Sequence, residues 1–250
     1  MLRIILSGCC GKMGGVISSI CKEKSDCEIV CGVDKAGAGT DYPVFPSFED
    51  IDVEADVIID FSHPSVLDGL LKYAKATKTP AVIATTGLSD GQIAEIKEAS
   101  KEIAVFFSFN MSLGINLLLE LCKKAASVLE GFDIEIIEKH HNLKIDAPSG
   151  TAIMLAEGIN STLNNKMIYE YDRHARRKRR EPNEIGIHAV RGGTIVGEHE
   201  VMFCGRDEII TLSHSARSKE VFAAGAVSAA QFIAGRKDGL YSMKELVEEK

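Results

Sequence analysis

The first part of the chain alternates short, almost wholly apolar runs with stretches whose apolar residues recur at helical spacing. Residues 2–7 form such a run and stop at Gly8, so they read as a buried strand. Residues 13–22 suit a helix, and 28–33 read as a second buried strand closed by Asp34. Residues 35–47 hold Gly and Pro and read as loop. Residues 56–61 predict a third strand. Ser62 stands where it could cap a helix over about 65–76, in which Val66, Leu67, Leu70, Leu71 and Ala74 share one face. The pattern repeats with a strand at 80–84, a helix at 89–101 and a strand at 103–107. Strands alternating with helices imply a parallel sheet with helices on both faces.

After Asn110 the rhythm changes. A long helix is expected over 112–129, a strand over 133–138 and a helix over 151–160. Strands at 185–190, 194–203 and 208–213 then follow with few helices between them. Such a run predicts a mixed or antiparallel sheet. A last helix is expected over 219–234, before Gly235. No internal repeat is visible, which removes solenoids.

The composition is that of an ordinary soluble globular chain, with 45% hydrophobic and 26% charged residues. A net charge of -7 argues against a general nucleic-acid binder, while leaving room for a local positive pocket. The N-terminal apolar run is too short for a signal peptide, and no run approaches the roughly 20 residues of a membrane span. The expectation is a cytoplasmic protein with neither nucleic acid nor membrane as partner. Seven Cys with no Cys-x-x-Cys pair point to reduced thiols rather than a disulfide framework or a zinc site, and no metal is expected. Cys27 and Cys31 read as small core residues.

Gly8, Cys9, Cys10, Gly11, Lys12, Met13 and Gly14 lie between the first strand and the first helix. Glycines there let the backbone turn sharply and let a pyrophosphate approach the helix N-terminus. The spacing is G-x-x-G-x-x-G, not the commoner G-x-G-x-x-G, so the strand–turn–helix–strand context carries the reading. Asp34, 20 residues after Gly14, ends the second strand where an acid would accept hydrogen bonds from an adenosine ribose. Lys12 and Lys35 could each reach a phosphate. Asp34 would repel a 2′-phosphate and Lys35 would attract one, which leaves NADH and NADPH both open as cofactors. Ala84, Thr85, Thr86 and Gly87 follow the fourth strand, and Ser108, Phe109, Asn110 and Met111 the fifth, at strand ends where open α/β sheets bind ligands.

Residues 135–152 are the densest polar stretch. His140 and His141 are adjacent, but no third metal ligand stands at a standard local spacing and Lys144 would oppose a cation. Pro148, Ser149, Gly150 and Thr151 can open a helix whose N–H groups and hydroxyls would seat a small carboxylate. Histidine suits proton transfer because its ordinary pKa is about 6.5. Lys144 could hold a carboxylate or donate a proton.

The stretch resembles the signature of the dihydrodipicolinate reductase family: E, an aliphatic residue, x, E, x, H, three residues, K, x, D, x, P-S-G-T-A, met from Glu135 to Ala152. The first turn, G-x-x-G-x-M-G, the Thr-Thr-Gly and Phe-Asn segments and residues 185–199 agree in order and spacing, so the resemblance covers essentially the whole chain. It implies an α/β fold with a Rossmann-type doubly wound parallel sheet and a second α+β domain with a mixed sheet. It implies a dinucleotide-binding domain over 1–111, completed by a C-terminal helix over 217–250, and a substrate-binding and oligomerisation domain over 112–216, assembled as a homotetramer. The implied activity is NAD(P)H-dependent reduction of a small dicarboxylate, 4-hydroxy-tetrahydrodipicolinate, in lysine and diaminopimelate biosynthesis. By the same resemblance His140 is the general acid/base and Lys144 a proton donor. His141, Ser149, Gly150 and Thr151 contact substrate; Gly8 to Met13, Asp34, Lys35, Ala84 to Thr86 and Ser108 to Met111 contact the nucleotide.

One segment departs from the family pattern: the strongly basic residues 174–180, read as a solvated loop or, alternatively, a flap meeting an anion. Cys9 and Cys10 also suggest a thiol of lowered pKa at a helix N-terminus, whose oxidation would block the cofactor. Two other functions fit the pattern less well: a related dehydrogenase with another amino-acid substrate, and a non-catalytic dinucleotide sensor whose basic loop contacts RNA.

Overall fold

The computed structural model describes residues 1–37 and 39–249; Ala38, within the expected loop, and Lys250 lie outside them. In chain order the elements are β1 (Leu2–Ser7), α1 (Lys12–Glu23), β2 (Cys27–Val33), β3 (Val44–Phe45), β4 (Val57–Asp60), α2 (Leu67–Thr77), β5 (Ala81–Ile83), α3 (Asp90–Ala99) and β6 (Ala104–Phe107). Then come α4 (Leu113–Val128), β7 (Asp133–His140), α5 (Gly150–Thr162), β8 (Ile168–Glu170), β9 (Glu184–Arg191), β10 (Gly197–Cys204), β11 (Ile209–Ala216), α6 (Glu220–Ile233), β12 (Gly239–Tyr241) and α7 (Met243–Glu248). The chain divides into two compact units, Met1–Leu113 with Glu220–Lys250, and Gly114–Lys219.

The first unit holds a parallel seven-stranded sheet in the order β12-β6-β5-β4-β1-β2-β3. Its strands are apolar on both faces because both are covered. Ile4, Leu6, Val57 and Ile59 pack with α1 and α6, whereas Ile5, Ile58, Leu70, Leu71 and Ile96 form the opposite core with α2 and α3. Successive side chains of one strand thus serve alternate cores. Small residues let α6 lie close: a Cβ on Gly225 would fall 1.7 Å from the Met111 carbonyl oxygen. Ser89 and Gln92 close α3 with a capping box. The strand order reverses at β1, where β2 and β4 flank it, and that switch point opens a crevice at the strand ends.

Three details correct the sequence reading. The capping residue before α2 is His63, whose Nδ1 accepts from the Ser65 N–H at the head of a 3-10 turn, Pro64–Val66. The Ser62 hydroxyl instead donates to Asp60. The expected loop over 35–47 contains β3, and the C-terminal closure is α6, β12 and α7 rather than one helix.

The second unit is a mixed five-stranded sheet, β11-β10-β7-β9-β8, with β10 antiparallel to β7 and β11 while β7, β8 and β9 run parallel. Ile134, Ile136, Ile185, Ile187, Val201 and Phe203 face α4 and α5. The basic segment is drawn into this unit. Arg180 binds Asp133 at 2.8 Å and Glu135 at 3.0 Å, Arg176 binds Glu170 at 2.8 Å, and Arg173 pairs with Glu184. Glu170 and Glu184 are buried acids answered by Arg176 and by Arg173 just before the segment, while residues 174–179 are all exposed and Arg180 is half-buried, so the segment is a largely solvated loop pinned at its end. No helix is long and apolar enough to cross a membrane among the described residues.

Candidate active site

In the first unit the turn after β1 is dictated by its glycines. Gly8 has φ +78°, and a Cβ there would meet the Phe61 carbonyl oxygen at 2.4 Å. A Cβ on Gly14 would lie 2.4 Å from the Gly8 oxygen. Gly11 is the N-cap of α1 and makes no side-chain cap, which leaves its first-turn N–H groups and the positive dipole end for an anion. Asp34 sits beside the turn and accepts from the Cys10 and Ala36 N–H groups, each at 3.0 Å. Gly8, Gly11, Asp34, Lys35, Ser62 and His63 help line a cavity of about 630 Å³, within the usual range for a small-molecule site.

The residues expected to meet a nucleotide take different stations. Gly11, Lys12, Lys35, Thr86 and Phe109 are exposed; Gly8, Cys10, Met13, Asp34, Ser108 and Asn110 are half-buried. Cys9, Ala84, Thr85 and Met111 are buried, and Cys9, Ala84 and Met111 join the core. Thr85 donates its hydroxyl to Asp60 at 2.6 Å and accepts from the Ser62 N–H at 3.0 Å. Asp60 is a buried carboxylate missed from sequence; burial raises its pKa against the hydroxyl bonds of Ser62 and Thr85. Ser108 Oγ donates to the Asn110 carbonyl, Asn110 Oδ1 accepts from the Ser112 N–H, and Phe109 stacks edge-on against Phe107.

A lowered thiol pKa is not found at Cys9. Burial pushes it up to about 12, and the neighbouring Cys10 adds to the rise. Cys9 Sγ lies over Gly32, where a Cβ would meet it at 2.4 Å, so desolvation overrides the helix dipole. Cys9, Cys10 and Asp34 bring possible metal-ligand atoms within 4.8 Å of one another. Cys9 is inside the core, however, and both Asp34 oxygens already accept backbone N–H groups, so the cluster reads as the wall of the turn.

In the second unit the polar cluster is built on strand alternation. Ile134, Ile136 and Glu138 occupy successive buried positions of β7; Gly197, His199, Val201 and Phe203 do so on β10. Glu138 is fully buried and accepts from His140 Nδ1 at 2.6 Å, from Arg191 at 2.7 and 2.8 Å, and from the Ser149 N–H at 2.9 Å. Burial works to raise its pKa, but the Arg191, His140 and Ser149 bonds outweigh it and hold the carboxyl below its usual range. Ser149 is buried and caps α5, its Oγ accepting from the Ala152 N–H and meeting His199 Nε2 at 3.0 Å. Lys144 pairs with Asp146 at 2.8 Å, and that bond keeps the Asp146 pKa low. His141 Nδ1 is buried with no hydrogen-bond partner, Gly150 is exposed and Thr151 half-buried. The sequence reading named His140, His141, Lys144 and Ser149–Thr151 but missed Glu138, Arg191 and His199. Acids and histidines on the buried phase of β7 and β10 were the available signal.

His199 carries a pH-dependent stability. Burial, helped by the charge of His140, pushes its pKa from 6.5 to about 4. The folded chain therefore binds this proton more weakly than the unfolded chain. The contribution is fully present above about pH 6.5 and is lost as pH falls through about 4. The shift corresponds to about 3 kcal/mol. Urea unfolding free energy should fall by about that much between pH 7 and 4, and His199→Gln should flatten the slope; an unchanged slope would remove His199 as its source.

Two family descriptions match the chain: Dihydrodipicolinate reductase, N-terminus, over residues 2–111, and Dihydrodipicolinate reductase, C-terminus, over residues 114–247. A 4-hydroxy-tetrahydrodipicolinate reductase from Caldanaerobacter subterraneus subsp. tengcongensis is 56% identical over 249 residues, covering 100% of this chain and 99% of the relative. One from Clostridium novyi is 49% identical over 252 residues, covering 100% of each. Among solved structures, a dipicolinate-bound dihydrodipicolinate reductase from Paenisporosarcina sp. TG-14 shares the fold with a TM-score of 0.83 at 24% identity, covering 98% of this chain and 99% of that one. A myo-inositol dehydrogenase from Corynebacterium glutamicum does so with a TM-score of 0.62 at 14% identity, covering 99% and 95%. With both halves matched and more than half the residues shared with a full-length relative, the chain belongs to the dihydrodipicolinate reductase family.

Proposed function

We propose that the chain catalyses the nicotinamide-dependent reduction of 4-hydroxy-tetrahydrodipicolinate to tetrahydrodipicolinate in lysine and diaminopimelate biosynthesis. The observation that carries this is the 135–152 segment: an ionised, buried Glu138 behind His140, and a helix start at Ser149, in a chain matched end to end by reductases of that name. The first unit fits a dinucleotide. Its turn packs so tightly that a Cβ at Gly8 or Gly14 would meet a backbone oxygen at 2.4 Å, α1 offers N–H groups, and Asp34 stands at the end of β2. Residues 8–13 would hold the pyrophosphate, Asp34 and Lys35 the adenosine ribose, and 84–86 with 108–111 the remainder. When bound, the nicotinamide supplies the hydride for the ring.

The chain's own residues bind the acid groups and move the proton. A dicarboxylate, such as the dipicolinate named in the Paenisporosarcina structure, would meet His141, Lys144 and the helix start. The Ser149 N–H is spent on Glu138, so the seat there is built from Gly150 and Thr151, with Ser149 fixing the cap. His140 or Lys144 delivers the proton that accompanies reduction. The test is oxidation of NADH or NADPH with substrate formed in place by a synthase acting on pyruvate and aspartate semialdehyde. Synthase-dependent oxidation is the expected result. None with either cofactor, despite nucleotide binding, would overturn the assignment.

The same reading takes the enzyme to be cytoplasmic and homotetrameric, with the first unit binding nucleotide and the second binding substrate and assembling. Exposed Val190, Ile209 and Ile210 on the five-stranded sheet support assembly, and light scattering measures the mass that tests it. The choice between NADH and NADPH is expected to turn on Asp34 and Lys35. Asp34→Ala should raise the NADPH-to-NADH ratio of kcat/KM about tenfold, and Lys35→Ala should lower it by a similar factor, because one group repels and the other attracts a 2′-phosphate. Ratios unmoved by either change would place the discrimination elsewhere.

A further inference from the structure

Burying a carboxylate costs several kcal/mol unless it is fully paired, and Glu138 is fully buried on the core phase of β7. Each of its oxygens holds two donors. Oε1 takes the Ser149 N–H and one Arg191 nitrogen, and Oε2 takes the other Arg191 nitrogen and His140 Nδ1. An ionised carboxylate has about four lone-pair sites and no proton to give. An amide N–H and a guanidinium cannot act as acceptors, so the only partner with a choice is the imidazole. A lone pair on Nδ1 at 2.6 Å from a carboxylate oxygen would be repelled, whereas an N–H there makes a short charge-assisted bond.

We infer that Glu138 is the positioning residue that fixes His140 in its Nδ1–H tautomer, so that Nε2 alone is the ring atom that takes up and releases the proton. This rests on the role proposed for His140. The surroundings of the pair agree with it. Arg191 also donates to the carbonyls of Asp146 at 2.6 Å and Val190 at 2.8 Å, which ties the carboxylate to the end of β9 and to the loop before α5 and prevents it from swinging away. On the other side of the ring, a Cβ at Gly197 would stand 3.1 Å from His140 Nε2, so glycine there keeps β10 clear of that atom. The His199 ring packs edge-on at 5.3 Å, and burial keeps it neutral near pH 7, so it sets no second positive charge against His140. The arrangement follows the logic of a catalytic His whose tautomer is held by a buried acid that itself never touches the reacting atoms.

The first test needs no substitution. In the wild-type chain, ring ¹⁵N spectra at a pH where His140 is neutral should place the proton on Nδ1; a proton on Nε2 would overturn the inference. In Glu138→Gln the amide oxygen faces Arg191 and the Ser149 N–H, which leaves its NH₂ toward the ring. The proton should then move to Nε2 and kcat should fall about 10²-fold or more, with nucleotide affinity unchanged. Glu138→Asp, which keeps the charge, should recover both the Nδ1 proton and part of kcat, a recovery that a purely structural role would not link to the tautomer. Turnover within about threefold of wild type, with the tautomer flipped, would overturn the inference. His140→Gln, measured in parallel, separates the two readings. Full activity there would remove His140 from the reaction while the wild-type ring spectrum still reports on Glu138.

Discussion

Replacing His140 with glutamine will lower turnover by about 10²–10⁴-fold, the usual share of a positioned acid or base, while the chain stays folded and binds nucleotide. Glutamine nearly matches the reach of the ring and can still donate an N–H to Glu138, so the buried carboxylate is not stranded. What it lacks is a ring nitrogen able to carry the proton. Lys144→Ala should behave differently. Lys144 is a point charge paired with Asp146 on the loop, so its loss should raise the KM for the dicarboxylate as well as lower kcat. Steady-state kinetics with coupled substrate generation separate the two. Near-normal turnover in both variants would remove the acid–base assignment.

The second large effect is steric. Gly14→Ala sets a methyl 2.4 Å from the Gly8 carbonyl oxygen and 2.5 Å from that of Cys9, both backbone atoms that cannot rotate aside. The turn must open, and with it the geometry that presents the start of α1. Nucleotide affinity should fall by at least about 10²-fold and the first unit should lose about 1–3 kcal/mol or more, the range for overpacking. Gly15 is the internal control. It is exposed on α1, a Cβ there meets nothing within 4 Å, and alanine should stabilise the helix by about 0.5–1 kcal/mol. Calorimetry and nucleotide titration of the pair decide it; equal behaviour would mean that the close approach at Gly14 has no role in binding.

Much of the fold was legible because burial on both sheet faces writes itself as unbroken apolar runs. β1, β2, β4, β5 and β6 were each found within a residue or two. The short edge strands β3, β8 and β12 were not, since two or three residues carry no readable period and their strand state comes from the neighbour they pair with. Ser62 was misread as a cap because its local pattern is that of one, whereas a buried carboxylate two residues back takes the hydroxyl. For Cys9, similarly, chain position gives the helix start but not the desolvation that raises the thiol's pKa. In the second unit the residues proposed to face the ligand were readable as a motif. The supports behind them, Glu138, Arg191 and His199, come from three strands, and only the register of β7 with β9 and β10 brings them together.

The first unit is discontinuous. Its sheet takes its outermost strand from residues 239–241, and α6, whose alanines floor one core, is also supplied from the C-terminal segment. A ribosome delivers about 5–20 residues per second, N-terminus first. For the whole time that residues 114–219 are being made, β6 is an open edge and the apolar bed for α6 is bare, both standing invitations to aggregation. The second unit, one uninterrupted stretch, has every strand it needs before α6 appears. A chain from which only residues 1–219 have emerged would therefore carry a finished second unit tethered to an adhesive first one, and would stay so until residues 220–248 followed. The half made first is the half completed last.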